Sequence, residues 1–197
     1  MAHSKTADGA TETAAAEVKA DGKPQRKRIT RRKAVEQRVR SYFEAMDRRD
    51  VDAMIEHWHE DGVEDVVPLG LLRGHDERRD FYRSIFAAMP DARTTLTSLV
   101  AGEQTCAVEW RTEGTFSGEP FTGIEPTGKR VEIRGMDFIE LEDDKIVSLT
   151  GYFDGAAYAR QIGMLPPDGS GADRAMKSAF NAVTKLRRTV AERRNGG

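Results

Sequence analysis

The chain has 197 residues, 38% of them hydrophobic and 32% charged, the balance of an ordinary globular domain. Its longest mostly apolar run, Val66–Leu72, is far too short to span a bilayer, and residues 1–20 hold no apolar leader core, so a cytoplasmic protein without membrane insertion is expected. The single cysteine, Cys106, excludes an internal disulfide and a cysteine-cluster metal site.

The four histidines are scattered, and His57 and His59, two apart, diverge on a helix. Neither a metal nor another cofactor is expected. The net charge of −2 hides a segregation. Residues 1–33 and 169–197 each carry a balance of +5, which leaves residues 34–168 at −12. Basic arms on an acidic body can contact an anionic partner such as nucleic acid or a membrane surface. They can also stay solvated or lie against the body's own acids. No aromatic interleaves the basic run, as stacking on bases requires, and this favours the second reading.

Residues 1–29 are rich in Ala, Thr, Lys and Glu and have almost nothing to bury, so disorder is expected. A first helix from about residue 30 carries Val35, Val39, Tyr42, Phe43 and Met46 as one apolar stripe. Asp50 is placed to cap a second helix, with Val51, Met54, Ile55 and Trp58 on one side and His57 and His59 near its end. Gly62–Val67 reads as a short strand, with Val63, Asp65 and Val67 on one face and Glu64 and Val66 on the other. Asp65 is thus an acid between two valines. Leu69–Gly74 reads as a loop. A third helix, about Asp76–Met89, carries Phe81, Tyr82, Ile85, Phe86 and Met89 before Pro90 stops it.

The period then changes to two. Thr94–Val100 and Gln104–Phe116 read as strands, the second with Cys106, Val108 and Trp110 inward. A Gly/Pro-rich connection over Ser117–Lys129 precedes a strand at Val131–Leu141. A tight turn at Asp143-Asp144 leads to the last strand, Lys145–Phe153. Its inward set is Val147, Leu149, Gly151 and Phe153, and Gly151 leaves open space there. Asp154–Gly163 reads as a short helix ended by its glycine, and PPDGSG (166–171) as a linker. Ala172–Arg194 is a basic amphipathic helix with Met176, Ala179, Phe180, Val183, Leu186 and Val190 along one side. It can dock on the body, pair with another subunit or touch an anionic surface.

Three helices followed by antiparallel strands make an α+β layout, in which a curved sheet on a long helix encloses a pocket. The expected organisation is an arm over 1–29, a domain over 30–166, and a linker with a helix over 167–197. One residue breaks the pattern of the Val131–Leu141 strand. Its buried set is Val131, Ile133, Gly135, Asp137, Ile139 and Leu141. A carboxylate there is costly unless it is protonated, hydrogen-bonded or facing a cavity.

The segments DGVEDVVPLGLLRG (61–74), GIEPTGKRVEIRGMDFIELEDDKIV (123–147) and GYFDGAAYARQIGMLP (151–166) resemble the SnoaL-like polyketide cyclases of the nuclear-transport-factor-2-like (NTF2-like) superfamily. The chain is also similar to ketosteroid isomerase. The resemblance covers about residues 34–166. It implies a cone of three N-terminal helices packed on a strongly curved, mostly antiparallel sheet, and it also implies a homodimer. From the isomerase it implies a general base at Asp65, in Val63-Glu64-Asp65. An oxyanion hole would be built from Tyr42 and a neutral Asp137, an acid kept protonated by its apolar site. Trp58, Trp110, Gly151, Phe153 and Phe86 would wall a site for a hydrophobic polyketide- or steroid-like ligand.

The departures from the pattern are specific. The spacing from Tyr42 to Asp65 is one residue shorter than in the isomerase. The cyclases carry an acid on the last strand, where Ser148–Gly151 reads Ser-Leu-Thr-Gly; Asp154 falls on the opposite face. Arg134 and Asp137 point to opposite faces, which disfavours an epoxide-hydrolase set. Two readings remain: an acid–base enzyme of the isomerase or cyclase type, and a non-catalytic ligand-binding or dimerisation module recruited through its basic arms. This fold hosts both.

Overall fold

In the computed structural model of the chain, which describes residues 22–195, the first helix, α1, runs over Gly22–Asp47. It is exposed from Gln25 to Lys33 and begins to bury side chains at Val35. Residues 22–29, the last part of the arm expected over 1–29, continue α1 outward, and the earlier part of that arm lies outside the described residues. The Arg and Lys run has good helix propensity, so α1 continues outward past the point where it has a core to cover.

Asp50 caps α2 (Val51–Ile55) by accepting a hydrogen bond from the Ala53 amide at 3.1 Å. That helix is shorter than expected: Trp58 opens β1 (Trp58–Val67) instead of closing α2. The segment read as a loop holds β2 (Gly70–Arg73), which pairs antiparallel with β1, Val66 opposite Gly70. The reversal needs a positive φ, and Gly70 supplies it at 124°. The remaining elements are α3 (Gly74–Ala88), β3 (Arg93–Ala101), β4 (Thr105–Phe116), β5 (Lys129–Glu142), β6 (Lys145–Phe153), α4 (Gly155–Ile162) and α5 (Gly171–Asn195).

The six strands form one sheet in the order β2-β1-β6-β5-β4-β3. Every pairing is antiparallel except β1 with β6. Asp143 and Asp144 both have positive φ, 45° and 64°, the signature of a two-residue hairpin turn matched to the sheet's twist. A register shift beyond Glu140 sets Leu141 opposite Ile146, so Ile146, not Val147, enters the core. The larger core cluster joins α1, α2 and Trp58 to Cys106, Val108, Ile139 and Leu149 on the concave sheet face. The smaller one joins Ala88 and Met89 to Phe116, Val131 and Ile162 of α4. The first residues of β5 run past the end of β6, and α4 covers that free edge. Gln161 accepts from the Glu132 amide at 2.6 Å and donates to its carbonyl at 2.8 Å. Among the described residues no helix is long and apolar enough to cross a membrane.

Candidate functional site

The concave face of the sheet, α3, α4 and the connection after β4 enclose a cavity of about 330 Å³, within the range of about 300–1,000 Å³ usual for small-molecule sites. Most of its wall is apolar. Phe81, Ile85 and Phe86 come from α3, Met89 from the position that caps it, Phe121 and Ile124 from the connection, Leu149 and Phe153 from β6. Two carboxyl groups break this wall, Glu64 and Asp137.

The strand register explains which acids face inward. Asp137 lies opposite Gly151 of β6, which pairs with Val66 of β1; all three line the cavity. Glu64 pairs with Leu149 and shares that face. Asp65 pairs with Thr150, the partner of Phe138, and Phe138 is exposed on the convex face. Asp65 is therefore on the outside of the sheet and does not line the cavity. The acid of β1 that faces inward is its neighbour, Glu64.

Asp137 is 6% exposed and its surroundings are built around it. Trp110 donates Nε1–H to its Oδ1 at 2.8 Å. The indole lies over Gly135, its cross-strand partner, where a Cβ would stand 2.2 Å from ring atom Cζ2. On the other side a Cβ at Gly151 would stand 2.9 Å from Asp137 Oδ1. The space expected at Gly151 is thus taken up by the carboxyl of its partner. Burial pushes the Asp137 pKa up from 3.8 to about 7, the indole donor pulls it down, and the charge of Glu64 raises it further.

Glu64 is 1% exposed and is satisfied on both oxygens. Tyr82 O–H donates to Oε1 at 2.6 Å and Arg78 Nε to Oε2 at 3.0 Å. Burial pushes its pKa up, and the tyrosine and arginine pull it back. Arg78, fully buried, also donates to the carbonyls of Gly74 and Gly62 at 2.8 and 3.0 Å. Its guanidinium sits 3.4 Å from the centre of the Trp58 ring, a cation–π contact. Because the Tyr82 proton goes to Glu64, Tyr42 O–H must donate to Tyr82, at 3.1 Å. Burial lifts both tyrosines well above their ordinary range, so both stay protonated.

The sequence-derived set is therefore split. Asp137, Trp110, Gly151, Phe153 and Phe86 line the cavity. Tyr42 and Trp58 are buried in the core behind it; Tyr42 reaches the cavity only through Tyr82, and Trp58 is the platform for Arg78. Glu64, Arg78 and Tyr82 are not among the residues the sequence assigns to the site. Their signal was an arginine one turn before Tyr82 on the apolar stripe of α3, a place where only a buried acid partner makes a cation tolerable. His57, just past the end of α2, is buried, its Nε2 3.4 Å from Ser41 Oγ, and burial lowers its pKa to about 4. No group of three or more metal-ligating side chains occurs among the described residues.

Residues 39–149 match the family model of the SnoaL-like domain. The chain belongs to the SnoaL-like family. Its cone is the NTF2-like, ketosteroid-isomerase-like fold. Among solved structures it is similar to AclR from Streptomyces galilaeus, named a hydroxylase, at 21% identity, a TM-score of 0.62 and coverage of 83% of this chain and 96% of that one. It is similar to a protein of Xanthomonas campestris pv. campestris named a polyketide cyclase, at 22% identity and a TM-score of 0.60, covering 68% and 99%. A third is IdmH from Streptomyces antibioticus, also named a polyketide cyclase, at 21% identity and a TM-score of 0.57, covering 65% and 97%. At these identities the likeness carries the fold alone. No curated protein matches the chain. The SnoaL-like match ends before α4 and α5, so the helix that closes the cavity and the one that follows it lie outside the family region.

Proposed function

We propose that this SnoaL-like chain is an acid–base enzyme acting on a neutral, hydrophobic carbonyl compound of the polyketide or steroid type. The observation that carries this reading is Asp137. It is a buried carboxyl opening onto an apolar cavity, with a pKa of about 7. A group that titrates near the working pH both accepts and returns protons efficiently. As carboxylate, Asp137 takes a proton from the carbon beside a substrate carbonyl. As carboxylic acid, it returns that proton to carbon in an isomerisation, or to the alkoxide formed when the enolate closes a ring. Atoms and charge balance over the cycle without a further reactant.

Under this reading Asp65 has no part, since it lies on the convex face. Glu64 is a fixed negative charge held by Arg78 and Tyr82, and its role is to oppose early ionisation of Asp137. Two solved structures named as polyketide cyclases share the fold, which agrees with a flat, carbon-rich ligand. The test is proton exchange. Polycyclic ketones incubated with the protein in deuterated water should gain deuterium beside the carbonyl, detected by mass spectrometry. The Asp137→Asn variant should lose on the order of a hundredfold or more of that rate. Ketones that bind without exchange would assign the cavity to a non-catalytic binding module.

A further inference from the structure

The wall of the cavity carries a polar group that the acid–base chemistry does not use. Thr94 of β3 and Thr112 of β4 lie opposite each other. Both line the cavity, and their hydroxyl oxygens are 2.9 Å apart. Neither hydroxyl makes another hydrogen bond among the described residues.

A threonine hydroxyl has one proton to donate and two lone pairs to accept with. Within the pair one proton is spent on the neighbouring oxygen, and the other has no protein acceptor. Thr94 is 6% exposed, and a polar group at that depth is costly to leave unpaired. The pair is also held in place. The Thr94 amide donates to Asp47 Oδ1 at 3.0 Å, and Arg93 donates to both oxygens of the same carboxylate, at 2.9 and 2.7 Å. Threonines facing each other across two strands are ordinary sheet contacts where water meets them. These two face a wall that is mostly apolar, with Ile133 as the cross-strand neighbour of Thr112.

Register sets the distance from this pair to Asp137. Thr112 lies opposite Ile133, and Asp137 lies opposite Val108. From Ile133 to Asp137 is four residues along β5, or about 13 Å at roughly 3.3 Å per residue. Trp110 stands between the two on the same face, its indole over Gly135 and its Nε1–H on Asp137. Along the strands the cavity floor is therefore a carboxyl, a flat aromatic surface and a hydroxyl pair. A long, flat, fused-ring ligand with an oxygen at each end matches that order.

We propose that Thr94 and Thr112 form a second subsite of the cavity, which takes a hydroxyl or carbonyl oxygen on the ring farthest from the reacting carbonyl. The inference rests on Asp137 as the group at the reacting end. The free proton of the pair donates to the distal oxygen, and a ligand hydroxyl donates in return to a threonine lone pair. Held there, the rings lie along the indole and do not slide, so the carbon beside the carbonyl stays at Asp137. Both threonines are positioning residues. The substrate class narrows from a hydrophobic ketone to a polycycle oxygenated at both ends.

The experiment is calorimetric titration with two probes, a fused polycyclic ketone bearing a hydroxyl on its far ring and the same ketone without it. Wild type should bind the hydroxylated probe roughly fivefold tighter or more, the usual worth of a neutral hydrogen bond. In the double variant Thr94→Val with Thr112→Val the preference should vanish, while affinity for the deoxy probe does not fall. Thr112→Ser, which keeps the hydroxyl, should retain the preference. Circular dichroism checks each fold, and Thr112→Val alone replaces the double variant if that one is unfolded. Equal affinity of wild type for the two probes overturns the inference, as does binding of neither. A preference that survives the double variant also overturns it, and its loss in Tyr158→Phe would assign the distal oxygen to the phenol of α4 that lines the same cavity. Deuterium exchange on the same probes separates this subsite from the acid–base chemistry. Preference without exchange keeps the subsite and removes the catalysis, and exchange without preference does the reverse.

Discussion

At Asp137 the pKa and the fold's stability are the same quantity. The folded chain holds this proton more tightly than the unfolded chain, because burial penalises the charge; the values are about 7 and 3.8. The stability it contributes is therefore fully present below about pH 4 and is lost as the pH rises through about 7. The gap is worth on the order of 4 kcal/mol. Asp137→Asn is neutral throughout. The unfolding free energy of wild type minus that of the variant, from urea titrations, should thus fall by most of this amount between about pH 4 and pH 8. A difference that ignores pH would remove the case for a raised pKa. The indole acts in the opposite sense, since its N–H favours the carboxylate. A hydrogen bond to a charged group is worth about 1.5–3 kcal/mol, so Trp110→Phe should move the Asp137 titration upward, read by carboxyl carbon NMR.

At the level of elements, the faces of β5 were legible and those of β1 were not. On β5 the alternation is unbroken: Val131, Asp137, Ile139 and Leu141 are buried while Met136 and Phe138 are exposed, and only a single acid interrupts the apolar set. On β1 each face offers valine and one acid, Val63 and Val67 with Asp65 against Val66 with Glu64, so period two alone cannot choose between them. The choice is made by tertiary structure, since α3 delivers Arg78 and Tyr82 to Glu64. For the same reason the pattern misses β2: the four residues Gly70–Arg73 become a strand only because β1 lies beside them. This dependence sets a prediction. Arg78→Leu leaves Glu64 buried and without its cation, and breaking a buried pair in this way costs about 3–5 kcal/mol. Adding Glu64→Gln to Arg78→Leu removes the second charge while keeping an acceptor for Tyr82, and this double variant should cost clearly less. Equilibrium urea unfolding of the two variants distinguishes them, and equal losses would mean that the ion pair is not what holds α3 to β1.

Across the whole molecule, charge is sorted by location, and this limits what the cavity can hold. The chain has 31 Lys and Arg, yet none among the described residues lines the cavity, whose ionisable carboxyls are Glu64 and Asp137. Arg78, the cation nearest to it in the hydrogen-bond network, is committed to Glu64 and two carbonyls. An anionic ligand would meet like charge in an apolar enclosure, where charges interact far more strongly than in water. A neutral polycyclic ketone should therefore raise the melting temperature, by the usual linkage of binding to stability. The same ring system bearing a carboxylate should bind at least about tenfold more weakly, equivalent to roughly 1.4 kcal/mol. Because Asp137 becomes charged as the pH passes about 7, the discrimination should widen from about pH 6 to pH 8 and stay constant in Asp137→Asn. Calorimetric titration of the two ligands at both pH values measures it. Equal affinity for the carboxylate would mean that a cation from outside the wall reaches the ligand, and the apolar cavity could not then be the binding site.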